Sequence, residues 1–543
     1  MKPFLFLSVL LFGLLPCSAQ DAFTVSQRAG WLQKAEAFKP QLSETVKAPQ
    51  RLVTLTKNTD AFQGWEAVAA GNMGTLYSNS LKDQSGVVVD FGEHLTGYFS
   101  CHFNLVGSAE SDAPIRVKFT FGEVPAELAT PFEPYPGGLS RAWLQDEIIT
   151  IDYIPNSITI PRRLSFRYVK IELLGHSPYF DTKISGMEMK AVTSAVGVPE
   201  PLAPETPQMI ADIDRIGLAT LKECMQTVYE DGPKRDLRLW IGDLYLEALA
   251  NTYSYKNHEL TKRCLYLLAG LAAPNGLLHA TAFEVPTPHP QTGQHLIDYA
   301  LLWNVALLDY LKTTGDRETA LDLWPVAAKQ VEIARTYLGD DLLCTGKSIR
   351  LFFDWRDGLD KQASFQGLLV KTFNDTYELA KMLGKEKDVA DLPGLTKKIS
   401  QATRKHLYDS KRGVAVSGPG KQVSYLSQAW LTLGGVLNQK EAQKALKTVM
   451  ATPDAVYPGS PYGTHYFIEA MIACGMEQEA KDYLVEYWGG MVKKGADTFW
   501  EVYDPKNDYL APYNFFPVNS YCHAWSCTPV YFIRKYPQIF QKK

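Results

Sequence analysis

The hydrophobic pattern of this 543-residue chain changes period near residue 200, and that change limits the folds open to it. Between residues 50 and 195, β-branched and aromatic runs alternate with polar residues and are separated by Gly, Pro, Asn and Asp. A period of two is typical of antiparallel strands in a sandwich. From residue 208 onward, apolar residues recur every three to five positions, as on amphipathic helices. The pattern therefore predicts a β domain followed by a helical domain.

The two patterns meet in a proline-rich stretch. Residues 198–207 contain four prolines, which favour an extended connector at a domain boundary. No fixed repeat is visible after it, so we expect a ring of paired helices rather than an open solenoid. The predicted helices cover residues 213–229, 239–255, 258–271, 296–313, 317–337, 372–384, 425–435, 440–450 and 465–486. The predicted organisation is an N-terminal segment (20–50), a β-sandwich domain (51–197), a linker (198–207) and a helical domain (208–543).

The N-terminus has the pattern of a secretory signal peptide over residues 1–19. Lys2 precedes an apolar run over residues 4–15, which is followed by small residues up to Ala19. That run is too short to span a bilayer, which takes about 20 residues, and no later stretch is long enough. We therefore expect a periplasmic or secreted protein without a membrane span. A lipid anchor at Cys17 is the alternative, which the preceding Pro16 disfavours.

Charge and cysteine content exclude several classes of protein. The chain has 55 Lys and Arg against 59 Asp and Glu, a net charge of −4, which argues against nucleic-acid binding. The seven cysteines after the predicted signal peptide are sparse and form no Cys-x-x-Cys pair. They indicate buried thiols rather than a disulfide framework or a metal site. We expect no metal-ligating residues and no cofactor, whereas calcium dependence of the acidic pocket and the oligomeric state stay open.

The densest polar cluster covers residues 230–243. It contains Asp231, Asp236 and Asp243 together with Trp240. Carboxylates placed this closely repel one another, which raises the pKa of at least one of them, as a general acid requires. The same residues suit helix capping, with arginines as surface partners. The cluster alone leaves capping and catalysis open.

A second cluster combines a carboxylate with aromatic residues. Glu501 follows Phe499 and Trp500, which would desolvate its carboxylate unless a polar group holds it. His523 is a candidate for that group, because the intervening chain is long enough to return to the same place. The alternative is a surface glutamate that follows a core tryptophan.

Two further segments place a tryptophan near an acid at the boundary of a predicted element. They are Asp354 with Trp355 and Asp298 with Trp303. Carboxylates accept hydrogen bonds from hydroxyls and indole rings stack on C–H faces, so such pairs suit a sugar pocket, although core packing is the alternative. The chain lacks nucleophile-elbow, His-Glu-x-x-His, Walker and dinucleotide-binding motifs, which leaves paired-carboxylate chemistry.

Together, these four clusters resemble the α-L-rhamnosidases of glycoside hydrolase family 78. The resemblance rests on residues 231–243, 298–303, 354–355 and 498–501, with His523 downstream. The N-terminal half is similar to the β-sandwich of that family at residues 89–98, 121–123 and 163–169. The similarity covers about residues 85–530, in the order that the family has.

The resemblance implies an (α/α)6 barrel and an inverting enzyme that releases terminal α-L-rhamnose. It assigns Glu501 to the general base and Asp236 to the general acid. The sugar-binding residues that it implies are Asp231, Trp240, Asp243, Trp303, Asp354, Trp355 and His523.

One difference from the family bears on the acid. Many members carry Glu at that position, whereas Asp236 is one methylene shorter. Two other functions therefore stay open. The first is a carbohydrate-binding or weakly active barrel that has lost its acid. The second is an (α/α)6 enzyme that acts on another sugar, such as a glucuronidase or a polysaccharide lyase.

Overall fold

The computed structural model describes residues 21–84, 86–107, 110–344 and 349–542. The predicted signal peptide and the alternative lipid anchor at Cys17 lie outside the described residues.

A nine-stranded antiparallel sheet forms most of the N-terminal half of the described chain. Its strands are β1 (Ser43–Lys47), β2 (Arg51–Lys57), β3 (Trp65–Gly71), β4 (Val87–Val106), β5 (Ile115–Gly122), β6 (Asp146–Ile151), β7 (Asn156–Thr159), β8 (Leu164–Gly175) and β9 (Asp181–Thr193). Strand β4 connects two layers, because its first half pairs with β2 and β8 and its second half pairs with β7 and β9.

The inward side chains of the two layers share one apolar core. Phe99 is fully buried and packs edge-on against Phe121, with ring centroids 5.2 Å apart, and against Phe166, at 6.0 Å. Edge-on packing is a favourable geometry for aromatic pairs. This arrangement confirms the predicted β-sandwich.

The N-terminal segment contacts both domains. Helix α1 (Val25–Ala37) packs on the helical domain, where Trp31 is buried, and β1 pairs with β9 at the sheet edge. The sheet thus includes residues upstream of position 51. Two short helices, α2 (Met73–Ser78) and α3 (Pro125–Ala129), lie between strands.

Twelve helices of the described chain form two concentric rings after the linker. The outer ring consists of α4 (Gln208–Cys224), α6 (His258–Gly270), α8 (Arg317–Arg335), α10 (Leu392–Leu407), α12 (Gln439–Met450) and α14 (Glu477–Lys493). The inner ring consists of α5 (Ile241–Thr252), α7 (Ile297–Thr314), α9 (Gln362–Leu383), α11 (Tyr425–Leu433), α13 (Pro461–Ala473) and α15 (Pro529–Lys535). Each inner helix from α5 to α11 packs on the next one, and α15 closes the ring on α5, which confirms the (α/α)6 barrel.

The sequences of the helices explain which ring each one joins. Helix α7 is apolar nearly all round and 14 of its 18 residues are buried, as expected of an inner helix. Helix α10 buries only one stripe and exposes its lysines, as expected of an outer helix. The described fold also contains helix α16 (Pro537–Phe540) and a set of short strands. These strands are Leu239–Trp240, Thr281–Phe283, His289–Pro290, Tyr408–Asp409 and Val414–Ala415.

Several helix predictions differ from the structure: the helix predicted over residues 213–229 is α4, five residues earlier, and α15 was not predicted. The segment predicted as one helix over residues 465–486 is two helices, because Gly475 has a φ of +81° that ends α13 and turns the chain into α14. Helix α9 begins at Gln362, ten residues earlier than predicted. Helix α10 was not predicted, because its buried stripe includes threonines as well as Leu and Ile. Within the described residues, none of the helices combines the length and apolarity needed to cross a bilayer.

Candidate active site

A cavity of about 610 Å³ opens at the end of the barrel where α5 and α7 begin. Two loops face each other across it. The first, which we call the acid loop, covers residues 231–240, and the second, the base loop, covers residues 497–503. The segment of residues 517–525 lies against both loops and also contributes to the cavity wall.

Seven of the nine residues predicted from the sequence line this cavity. They are Asp231, Asp236, Trp240, Asp243, Trp355, Glu501 and His523. The structure thus brings together residues as far apart in the chain as Asp231 and His523, which are 292 positions apart.

One guanidinium connects the two carboxylates that the resemblance marks as catalytic. Arg235 donates from Nη1 to Asp236 Oδ1 at 3.0 Å and from Nη2 to Glu501 Oε2. The arginine is itself fixed, because its Nε donates to Val518 O at 3.0 Å. Asp236 and Glu501 therefore contact the two Nη atoms of one buried guanidinium group.

The environment of Glu501 favours its ionised form. Burial opposes ionisation, but the charge of Arg235 and a hydrogen bond from the Tyr513 hydroxyl to Oε1 (2.7 Å) hold the pKa of Glu501 below its ordinary value. The backbone N–H of Ser520 also donates to Oε2, at 3.2 Å. Trp525 Nε1 donates to the Glu501 carbonyl at 2.9 Å and so fixes the base loop. An ionised, oriented carboxylate can act as a general base.

Asp236 is also held as an anion in the absence of a ligand. Burial again opposes ionisation, but Arg235 and Arg238 outweigh it and lower the pKa of Asp236. Arg238 Nη2 donates to Asp236 Oδ2 at 2.6 Å. Both oxygens of Asp236 are therefore paired with guanidinium groups.

The crowded carboxylates raise the pKa of Asp231 and Asp243 instead. Burial and the nearby charge of Asp236 and Asp243 raise the pKa of Asp231 well above its ordinary value. Burial and the charges of Glu501 and Asp236 do the same for Asp243. At least one raised pKa was predicted for this cluster, and the structure assigns it to the two aspartates that no guanidinium contacts directly.

Several polar atoms of the cavity wall have no hydrogen-bond partner within the described chain. They are Trp240 Nε1, Asp243 Oδ1, Trp355 Nε1 and His523 Nδ1. His523 Nδ1 lies 3.5 Å from Asp243 Oδ1, and burial lowers the pKa of His523 to about 4, so the imidazole is neutral. Buried polar atoms normally find partners, so this wall is suited to a ligand rich in hydroxyl groups.

His523 was predicted to hold Glu501, and the structure shows other partners. The hydrogen bonds to the Glu501 carboxylate come from Arg235, Tyr513 and the backbone of Ser520, whereas Asp243 is the acid nearest to His523 Nδ1. The sequence did not indicate these partners of Glu501, because Tyr513 belongs to no motif and Arg235 was considered only as a surface partner in the capping alternative.

Two predicted sugar-binding residues lie outside the cavity wall. Trp303 is completely buried within α7, among the apolar side chains of the barrel core. Asp354 accepts hydrogen bonds from Gly459 N, at 2.5 Å, and from Ser460 Oγ, so both of its oxygens are occupied at the start of α13. The structure therefore gives these two residues packing and loop-fixing contacts.

Asp298 and Asp354 together shape the loop that presents Trp355 to the cavity. Asp298 Oδ2 accepts from the backbone N–H groups of Phe352 and Phe353 at 2.9 and 3.0 Å. Three further aromatic side chains line the cavity and were not predicted from the sequence, namely Tyr299, Phe352 and Trp525. Phe352 and Trp525 stack with ring centroids 5.7 Å apart.

The buried carboxyl of Asp298 predicts a measurable pH effect on stability. Burial raises the pKa of Asp298 to about 6, against about 3.9 in an unfolded chain. Between these values the folded chain keeps a proton that the unfolded chain has lost, so the free energy of unfolding falls as the pH rises. Asn keeps an oxygen for the two N–H groups and cannot ionise.

We therefore expect Asp298→Asn to gain up to about 3 kcal/mol over the wild type between pH 4 and pH 7. Denaturant unfolding of both proteins at several pH values measures this difference. Parallel pH profiles for the two proteins would contradict the buried, protonated state of Asp298.

Within the described ranges, no group of three or more His, Cys, Asp or Glu side chains is arranged to hold a metal ion. The seven described cysteines are unpaired and buried.

Both halves of the chain match known protein families. Residues 49–191 match the N-terminal domain of glycosyl hydrolase family 78 α-rhamnosidases, and residues 206–536 match the six-hairpin glycosidase domain of bacterial α-L-rhamnosidases. A search among curated proteins found no match.

Solved structures show the same similarity. A rhamnosidase from Klebsiella oxytoca with rhamnose bound has a TM-score of 0.90 at 38% identity, covering 94% of this chain and 99% of that one. A family 78 rhamnosidase of Bacillus sp. GL1 has a TM-score of 0.68 at 22% identity, covering 82% of this chain and 46% of that one. An α-L-rhamnosidase from Streptomyces avermitilis complexed with L-rhamnose has a TM-score of 0.66 at 16% identity, covering 91% and 44%. The chain spans less than half the length of the last two, which share its fold.

Proposed function

The chain belongs to glycoside hydrolase family 78, and from that membership we propose that it releases terminal α-L-rhamnose from glycans or glycosides with inversion at the anomeric carbon. The observation that carries the proposal is the placement of Asp236 and Glu501 on either side of Arg235, in one cavity. Inverting enzymes need two carboxyl groups separated by about 6.5–9.5 Å, so that a water fits beside the base.

In this proposal Glu501 is the general base. It is already ionised, and Arg235, Tyr513 and the Ser520 N–H orient it. A water beside Glu501 would lose its proton to the carboxylate while its oxygen attacks the anomeric carbon.

Asp236 is the general acid of the proposal and must carry a proton before the leaving group departs. Its two guanidinium partners keep it ionised in the free protein, so the acid role requires a bound glycoside to displace one of them. Arg238 is the one to move. Its side chain is 12% exposed and its Nη1 contacts the exposed Gln291, whereas Arg235 is 4% exposed and is also bonded to Val518 O and Glu501.

The remaining wall suits a deoxy sugar. Asp243, Trp240, Trp355 and His523 line the cavity, and each keeps a polar atom without a hydrogen-bond partner within the described chain. The aromatic rings of the wall provide an apolar surface for the C5 methyl group of rhamnose. Export of the enzyme stays a prediction from the N-terminal pattern.

A panel of aryl glycosides tests the proposed substrate. We expect the wild-type protein to hydrolyse an aryl α-L-rhamnoside far faster than aryl glucosides, mannosides or glucuronides. Rhamnose binding without turnover would favour a carbohydrate-binding barrel instead. An unsaturated, ultraviolet-absorbing product from an acidic polysaccharide would favour a lyase. Either outcome contradicts the proposed function.

A further inference from the structure

We propose that Glu123, which directly follows β5 in the sandwich, is a positioning residue for the reaction, because one of its oxygens holds both the acid loop and the segment that supports the base. This inference rests on the proposed function. Glu123 belongs to the 121–123 motif of the sandwich, for which the catalytic scheme itself gives no role.

The geometry at Glu123 Oε2 connects the two sides of the cavity. Lys234 Nζ lies 2.9 Å from this oxygen, and the backbone N–H of Tyr521 donates to it at 2.6 Å. Lys234 directly precedes Arg235 in the acid loop. Tyr521 directly follows Ser520, whose N–H donates to Glu501.

The contact is buried and charged. The side chains of Glu123 and Lys234 are 1% and 3% exposed, and the Lys234 ammonium also lies 5.1 Å from the centre of the Tyr521 ring. On its other side, Glu123 Oε1 lies 3.0 Å from His94 Nε2. Although burial opposes ionisation, Lys234 and His94 lower the pKa of Glu123 to about 2, so the carboxylate keeps its charge at any working pH. A buried pair of this kind is costly to break from one side.

Glu127 supplies a matched comparison. Its Oε1 holds the same lysine at 2.7 Å, and its Oε2 accepts from the backbone N–H groups of Glu123 and Val124. Glu127 therefore contacts the acid loop, and none of the hydrogen bonds of its carboxylate within the described chain goes to the Tyr521 backbone, although its charge acts on the Tyr521 phenol. Gln at this position can keep the two backbone bonds with its oxygen while its NH₂ group faces Lys234.

A comparison of variants at Glu123 and Glu127 distinguishes a role in positioning the catalytic carboxylates from a role in stability alone. If Glu123 aligns the acid loop with the segment that supports Glu501, its loss misplaces Asp236 relative to Glu501. A displacement of about 1 Å costs about 100-fold in rate. It also loosens Arg235 and the Ser520 N–H from Glu501, whose pKa then rises. A base must be ionised, so the acidic limb of the pH–rate profile moves to higher pH. The ionisable groups that face Glu501 are Arg235, Asp243, Tyr513, Tyr521 and His523.

The test compares Glu123→Ala and Glu127→Gln with the wild type, and Glu123→Gln serves if the alanine variant does not fold. We expect Glu123→Ala to lower kcat for an aryl α-L-rhamnoside about 100-fold with little change in KM, and to shift the acidic limb upward. Glu127→Gln should lose less than about tenfold and keep its pH profile. Equal losses in the two variants, or an unshifted limb in Glu123→Ala, would overturn the proposal.

Hydrogen exchange gives a readout that does not need a substrate. Glu123→Ala should speed amide exchange in both the acid loop and residues 518–523, whereas Glu127→Gln should speed it in the acid loop alone. Unchanged exchange at residues 518–523 in Glu123→Ala would refute the positioning role. If the wild-type protein hydrolyses no rhamnoside but the two variants show these exchange differences, the proposed function is refuted, while the connection that Glu123 makes between the acid loop and residues 518–523 is supported.

Discussion

The Glu501→Gln variant should lose about 10²- to 10⁴-fold in turnover of an aryl α-L-rhamnoside, because Gln cannot take a proton from the attacking water. The amide retains an oxygen for Arg235 or Tyr513, so the cavity should keep its shape and rhamnose should still bind. Steady-state kinetics measure the loss, and calorimetry with rhamnose measures the binding that remains.

Glu486 provides the control for this change. It lies exposed on α14, away from the cavity wall, so Glu486→Gln makes the same chemical replacement without touching the site. We expect that variant to match the wild type. A Glu501→Gln protein that folds and keeps more than about a tenth of wild-type turnover would contradict the base assignment.

Asp236→Asn should show a loss that depends on the leaving group. With a poorly activated rhamnoside, we expect turnover to fall about 10²- to 10⁴-fold, because the departing oxygen needs a proton. With a strongly activated aryl group, which departs without protonation, the loss should be much smaller. Comparing kcat across a series of aryl rhamnosides measures this dependence.

Asp231→Asn is the informative comparison, because burial and the neighbouring carboxylates raise the pKa of Asp231 well above its ordinary value and so favour its protonated form. If Asp236 is the acid, Asp231→Asn should weaken substrate binding and keep the leaving-group dependence of the wild type. If Asp231→Asn instead shows the steep dependence and Asp236→Asn does not, the proton comes from Asp231 and the acid assignment is wrong.

The fold was predictable because its signals are local. The change from period two to helical spacing and the prolines of residues 198–207 separate the two domains without any knowledge of contacts. The helix boundary at Gly475 was missed for the opposite reason, since the apolar pattern continues across it and only the backbone conformation interrupts the helix.

The site was only partly predictable, because its key contacts join distant parts of the chain. Arg235 and Glu501 are 266 residues apart, and neither neighbourhood reveals the other. Grouping Asp298 with Trp303 because they lie close together in the sequence was misleading. Asp298 and Trp303 are five residues apart on α7, roughly 140° around the helix, so the tryptophan faces the core while the aspartate holds the 352–353 backbone.

The most direct test of the account is the configuration of the sugar that the wild-type protein releases first. Proton NMR during hydrolysis of an aryl α-L-rhamnoside resolves the two anomers before they equilibrate. A base that activates water across the gap from the acid predicts β-L-rhamnose as the first product, with the α anomer appearing later by mutarotation. Release of α-L-rhamnose first, or of no rhamnose, would contradict the roles assigned to Asp236 and Glu501.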